Sequence, residues 1–326
     1  MASSLETERK SDVVVIGSCF MDMLWYVPRV PKSGETLHAT KFQLDFGGKA
    51  ANQAVMAAKL GARVSMVAML GKDKFGFDTL ENFKKYNVNT DFIQMEEGGT
   101  TGVTTISVDN DGQPAFIGLA GSNKSLTMEH IKLAEDLIKS TPVVICDKGI
   151  PLKISLSALK FAKDLGCRTL FNPSPTIEHL NPVEYTYISV LLINAIEGEG
   201  LTGIPVDGVE TAKEVVKEIH QRGSENVVLT LGKDGAVCLE KIQGIPGQEY
   251  DISYVTTSQV ETVDTTGAGD SVVGALAYFL ACHPSLPFKE AVRRSIAIAT
   301  ITVTSHGVQS SYPARQELPS YLFDDI

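Results

Sequence analysis

The sequence predicts an α/β protein: a mostly parallel sheet covered by helices on both faces, with a second, small sheet inserted into it. Three observations carry the prediction. Short β-branched runs alternate with segments of helical period along most of the chain. Two stretches, 21–46 and 99–119, break that rhythm and hold β-formers separated by turn residues. A chain of 326 residues, 43 % of them hydrophobic, has enough apolar volume for one large domain with a small appendage.

Taken in order, residues 1–10 are polar and charged, lack the apolar core of a signal peptide or anchor, and read as a disordered tail ahead of one domain over 11–326. Strand 13–16 is a β-branched run stopped by Gly17, and helix 52–60 carries apolar residues at helical spacing as far as Gly61. Strand 64–69, helix 78–86, helix 130–139, strand 143–146, helix 155–165, strand 169–171, strand 190–193, helix 211–221 and strand 227–230 continue the alternation. Segment 271–282 is so apolar that it reads as a buried helix. In the irregular stretches, Asp109, Asn110, Asp111 and Gly112 mark a turn between two strand-like pieces. Such an insert is either a lid that closes over a site and excludes water or a plain surface hairpin. Ligands of a parallel α/β sheet bind at the carboxyl ends of its strands.

Composition removes several functions. A formal charge of -10 argues against nucleic acid or an anionic membrane as main partner, because both reward a basic face. No apolar run approaches a membrane span. Five cysteines without a CxxC pair suggest neither a zinc knuckle nor a disulfide framework and point to reduced thiols in the cytoplasm, with the nucleus as second compartment. The six histidines show no HExxH spacing. Gly17, Ser18, Cys19 and Phe20 do not supply the GxGxxG of an NAD-dependent dehydrogenase.

Chemistry concentrates in Asp264, Thr265, Thr266, Gly267, Ala268, Gly269 and Asp270, which lead straight into helix 271–282. Unpaired N–H groups and the positive end of the dipole attract anions at a helix start, and glycine lets a phosphate approach the backbone. A carboxylate beside a bound phosphoryl group is repulsive unless it takes a proton from an attacking hydroxyl, the general-base role in phosphoryl transfer. The competing reading makes Asp270 an ordinary helix cap. A second glycine-led helix start, Gly47 to Gln53, offers backbone amides, an ammonium and a carboxamide, a chemistry suited to a polyhydroxylated ligand or simply to a turn. Asn194 and Glu197 follow a strand: Asn194 is equally an N-cap, and a solitary Glu organises magnesium through water. Thr230 to Gly235 form a turn open to a flat or phosphorylated ligand, or a hairpin.

In order, GGKAANQ (47–53), NAIE (194–197), TLGKDG (230–235) and DTTGAGD (264–270) resemble the motifs of the PfkB carbohydrate kinase family. The similarity extends from Gly17 and Asp22 through FNPSP (171–175) to GVQSSYP (307–313). The resemblance implies a Rossmann-like three-layer α/β/α sandwich with a β-sheet lid and a homodimer formed through that lid. It further implies ATP-dependent phosphorylation of a sugar, the 5-hydroxyl of ribose, with Asp270 as base and the Gly267, Ala268 and Gly269 amides as anion hole. Asp22, Gly48, Lys49 and Asn52 match sugar contacts. Asn194, Thr230, Leu231, Gly232, Lys233, Asp234, Gly235 and Gly269 match nucleotide contacts, and Glu197 matches the element linked to Mg2+. Asp264, Thr266, Thr302, Ser305, Gly307 and Ser311 match a loop that holds an activating monovalent cation, usually K+.

Four departures bear on the substrate. Phe20 stands where the family commonly has a sugar-binding Asn, Gly149 where a sugar-binding Glu is expected, Ala50 replaces a common Gly, and Ile296 lies near the adenine position. They leave another pentose, a polyol or a nucleoside as alternative acceptors. A catalytically silent binder of the same fold is the remaining alternative.

Overall fold

The computed structural model describes residues 11–110, 114–175, 177, 179–242, 244 and 248–324. The expected tail at 1–10, and Asp111 and Gly112 of the expected turn, lie outside them.

The strands are β1 (Val13–Ile16), β2 (Phe20–Tyr26), β3 (Lys41–Gly47), β4 (Val64–Gly71), β5 (Val88–Glu96), β6 (Gly102–Val108), β7 (Pro114–Leu119), β8 (Val143–Asp147), β9 (Arg168–Asn172), β10 (Val190–Asn194), β11 (Asn226–Thr230), β12 (Ala236–Lys241) and β13 (Tyr250–Val255). The α-helices are α1 (Lys49–Lys59), α2 (Lys74–Lys85), α3 (Met128–Lys132), α4 (Glu135–Lys139), α5 (Leu152–Asp164), α6 (Pro182–Tyr185), α7 (Ala195–Thr202), α8 (Val209–Gln221), α9 (Ala268–Cys282) and α10 (Phe288–Thr302). Nine strands form one sheet in the order β13-β12-β11-β10-β9-β8-β1-β4-β5, parallel from β11 to β5 and antiparallel at the β12 and β13 edge. The other four make a small sheet, β3-β2-β6-β7.

Alternation along a strand sends successive side chains to opposite faces, and β1 is buried on both. Val13 and Val15 join a core with α1, α9 and α10, while Val14 and Ile16 join one with α4, α5 and α8. Helices α1 and α9 pack closely at Gly274, where a Cβ would stand 2.5 Å from the Gln53 carbonyl oxygen. This contact matters for chemistry, because Asp270 lies one turn earlier on the same face of α9.

The structure corrects some boundaries. Helix 130–139 is two short helices, since Leu133 and Ala134 donate to the carbonyls of His130 and Ile131. These tighter i to i−3 bonds keep Ile131, Ala134 and Leu137 buried. Helices α1, α2, α5 and α9 begin earlier than their apolar period, at caps Gly48, Asp73, Pro151 and Gly267. Strand β5 has no clean alternation to read, because its register with β4 shifts between Ser65 and Val67, placing an extra residue on β5. Strands β12 and β13 and helix α10 were not read from the sequence.

Candidate active site

The first turn of α9 sits at the meeting of the two sheets. Gly267 is its N-cap at φ 78, a left-handed conformation open to glycine. A Cβ there would also stand 2.5 Å from Val308 Cγ1 and 2.7 Å from Tyr312 Oη, and the Tyr312 hydroxyl donates to the Gly267 carbonyl at 2.8 Å. The C-terminal segment thus clamps the turn from behind. Of the expected anion-hole amides, that of Ala268 is committed: it closes the turn onto the Thr265 carbonyl at 3.2 Å. The N–H groups of Gly267, Gly269 and Asp270 have no partner among the described residues, and Gly269 is exposed.

Asp270 is no cap. Its carboxylate turns back onto α1, where Asn52 Nδ2 donates to Oδ2 at 2.9 Å and Gln53 Nε2 to Oδ1 at 3.2 Å. Two further acids lie close. Asp22 on β2 is pushed up to about 6 by burial, with Asp45 and Asp270 adding repulsion and a Thr104 hydrogen bond opposing it. Asp147, fully buried at the end of β8, is likewise raised to about 6 by burial, against bonds from the Ser18 hydroxyl and the amides of Ser18 and Ala50. Asp147 thereby ties the turn after β1 to the start of α1.

The expected sugar residues surround this point unequally. Gly48 caps α1 at φ 91, where a Cβ would stand 2.8 Å from Ser18 O and Phe20 N. Lys49 opens the helix and is half-buried. Asp22 lies against Gly47 and opposite Asp45 in the β2–β3 register. Asn52 is already bound to Asp270, and its Oδ1 accepts from Gln309 Nε2 at 3.0 Å. Gly149 admits no side chain, since a Cβ would stand 2.1 Å from Ser18 Oγ. A glutamate has no place there, so that expected hydroxyl contact is absent for a steric reason. Phe20 packs over Gly102, where a Cβ would stand 2.9 Å from its ring.

On the other side of α9 opens a cleft of about 610 Å³ lined by Thr230, Gly232, Lys233, Asp234 and Gly235, by Ala268 and Gly269, and by Ile296 among others. Leu231 is the exception in its motif, because it is half-buried and packs against the core. Asn194 and Glu197 form a reciprocal capping box at the start of α7, with Asn194 Oδ1 accepting from the Glu197 amide at 2.9 Å and Glu197 Oε2 from the Asn194 amide at 3.0 Å. Neither lines the cleft, although Asn194 is in register with Thr230, which does. Among the described residues no group of three or more His, Cys, Asp or Glu is arranged to hold a metal.

Residues expected around a monovalent cation divide. The Asp264 carboxylate accepts from the Thr266 amide at 2.9 Å and the Gly307 amide at 3.1 Å, drawing those segments together. The amides of Val263 and Asp264 donate to Val303, between Thr302 and Ser305. The hydroxyls of Thr302 and Ser311 are turned away, onto Ala299 and Val308 carbonyls. Sequence reasoning did not single out Gln53, Asp45, Asp147, Asn172 or Gln309. Three of these, Gln53, Asn172 and Gln309, lie inside quoted motifs, but only the tertiary contacts give them a task.

A helix start with free amides, a clamped carboxylate in its first turn and a cleft opening onto the Gly269 end of that turn are the attributes of a phosphotransferase acting on an alcohol. The pfkB family carbohydrate kinase model matches residues 10–315, and the chain belongs to that family. It is 42 % identical over 318 residues to mouse ribokinase, covering 98 % of this chain and 97 % of that protein. It is 32 % identical to deoxyribokinase of Salmonella typhi, covering 95 % of this chain and 98 % of that protein. The structure of Arabidopsis thaliana ribokinase complexed with ribose and ATP superposes with TM-score 0.84 at 26 % identity, over 97 % of this chain and 99 % of the other. The protein is therefore a carbohydrate kinase.

Proposed function

We propose that the protein transfers the γ-phosphoryl group of ATP to the 5-hydroxyl of ribose, giving ribose 5-phosphate and ADP. One observation carries the reading: Asp270 stands at the first turn of α9 beside the free Gly269 amide, between the 610 Å³ cleft and the junction with the small sheet. ATP supplies the phosphoryl group and the leaving group. Asp270 takes the hydroxyl proton as the new O–P bond forms, and the amides of Gly267, Gly269 and Asp270 receive the charge on the phosphoryl oxygens. Thr230, Gly232, Lys233, Asp234 and Gly235 hold the nucleotide, with Asn194 at the next strand end. Asp22, Gly48 and Lys49 hold the sugar, and Asn52 serves it by orienting Asp270.

Mg2+ would be carried by the nucleotide phosphates and water; Glu197, buried outside the cleft with Oε2 taken by the Asn194 amide, would act on it only through water. K+ suits the loop built around Asp264, whose donors are largely backbone carbonyls. The small sheet acts as lid. It is also the dimer interface, as Trp25, Phe42, Leu44, Ile117 and Leu119 share the face opposite Asp22 and Asp45 and are exposed. The free cysteines suit a reducing compartment, the cytoplasm or nucleus.

Phe20 and the crowded Gly149 favour a second reading, 2-deoxyribose as acceptor, since an apolar ring and a missing carboxylate give up hydroxyl contacts. ADP release measured over a panel of pentoses, polyols and nucleosides, with and without K+, decides between them. The ribose reading fails if another acceptor has the higher kcat/KM, and the kinase reading fails if Asp270→Asn retains turnover.

A further inference from the structure

Asp270 is gripped by two carboxamides, and each carboxamide is aimed by another buried amide. On one side, Asn172 Nδ2 donates at 3.0 Å to the Leu192 carbonyl, a group that only accepts. Asn172 Oδ1 is therefore turned to Gln53 and accepts from Nε2 at 3.2 Å, and the same nitrogen donates to Asp270 Oδ1. Gln53 Oε1 is left buried without a partner, so this orientation serves the two acceptors at the expense of the carbonyl. On the other side, Asn82 Nδ2 donates to Gln309 Oε1 at 2.7 Å, Gln309 Nε2 to Asn52 Oδ1 at 3.0 Å, and Asn52 Nδ2 to Asp270 Oδ2 at 2.9 Å. Gln53, Gln309, Asn52, Asn172 and Asn82 are all buried.

We propose that Gln309 and Asn172 are positioning residues for the base: they fix the direction of Asn52 and Gln53 so that both Asp270 oxygens face N–H groups. The proposal rests on the reading of Asp270 as base. A carboxamide that flips presents its carbonyl instead, turning an attraction for the ionised form into a repulsion. The surroundings make this direction consequential. Asp22 of β2, Asp147 of β8 and the Tyr312 phenol all lie within electrostatic reach of Asp270, with Asp45 next to Asp22, so the donors that face its two oxygens are its nearest compensation among like-charged neighbours. On α1, Lys49 opens the helix, while Lys59 is bound to the carbonyls of Gln309 and Tyr312, steadying the segment that carries Gln309. The charged residues of α10, Lys289, Glu290, Arg293 and Arg294, belong to its first half, with Arg294 held by Leu322 and Asp324 carbonyls. Strand β1 has no charged residue.

The test is the pH profile of kcat/KM for the sugar. Gln309→Met keeps the volume and removes the hydrogen bonds, and we expect its acid limb to move up by about one pH unit, so that activity falls about tenfold on the acid side of both limbs and returns close to the parent on the alkaline side. Asn172→Leu moves the limb the same way. A loss equal at every pH, with the limb in place, overturns the proposal, because that is what a merely space-filling side chain would give. Should Gln309→Met not fold, Asn82→Leu reads the same chain one link further out and overturns the proposal if its limb is unmoved. Asp270→Asn is run alongside: turnover surviving there sinks the base assignment itself, whereas its loss together with an unmoved Gln309 limb sinks only the positioning role.

Discussion

Gly269→Ala separates stability from catalysis at a single methyl group. Gly269 is helical, at the second position of α9, and a Cβ built on it meets nothing within 4 Å. Replacing a helical glycine by alanine without strain stabilises a protein by about 0.4–1 kcal/mol, chiefly by restricting the unfolded chain. For a chain of this size that is a rise in Tm of roughly 1–3 °C. The methyl nevertheless tilts toward the N-terminus of the helix, as every Cβ does, and so into the cleft that Gly269 lines. An oxygen accepting from the Gly269 amide must come within about 2.9 Å of the nitrogen, and the methyl would crowd the remaining oxygens of the phosphoryl group so held, pushing it off that donor. Losing one such donor costs about 10²–10³ in kcat. Calorimetry paired with steady-state ADP release should therefore show a protein that melts higher and turns over at least a hundredfold more slowly. Near-normal kcat and unchanged KM for ATP in the more stable variant would refute the assignment of the α9 start as the phosphoryl site.

Gly267→Ala should lose on both counts, because it adds about 1–2 kcal/mol of left-handed backbone strain to the overlap with Val308 and Tyr312, and a melt within 1 °C of the parent would contradict that geometry. Burial raises Asp147 from 3.8 to about 6, so the folded chain holds a proton that the unfolded chain releases between those values. Its stabilising share is present below about pH 4 and lost as pH rises through 6, a swing of up to about 3 kcal/mol at pH 7. Asp147→Asn should flatten the fall of Tm between pH 4.5 and 7, and an unchanged slope would assign that fall to other groups. On the proposed pairing through the small sheet, the parent should sediment as a dimer and Ile117→Lys as a monomer; a parent that is already a monomer, or a variant that stays a dimer, contradicts that interface.

Much of this arrangement is local in origin, and to that extent it was readable. The β-branched runs at 13–16, 143–146 and 190–193 are buried strands, and the apolar segment after Asp270 is a helix, because strand and helix periods and glycine caps act over a few residues. The heptapeptide from Asp264 therefore announced its helix start and its carboxylate. The sequence alone also carried the family resemblance, through four motifs in one order.

Tertiary structure decided what those residues touch. Asn52 was expected as a sugar contact, and its bond to Asp270, 218 positions away, became visible only in the fold, as did the partner of Gln309 once the C-terminal segment lay behind α1. Leu231 turned against the core, the Ala268 amide closed its own turn, and Gly149 proved too crowded for any side chain. Hydrogen-bond direction and steric room depend on groups brought together from distant parts of the chain. No local pattern encodes them, so only the assembled fold reveals whether a suitable residue type is free to act.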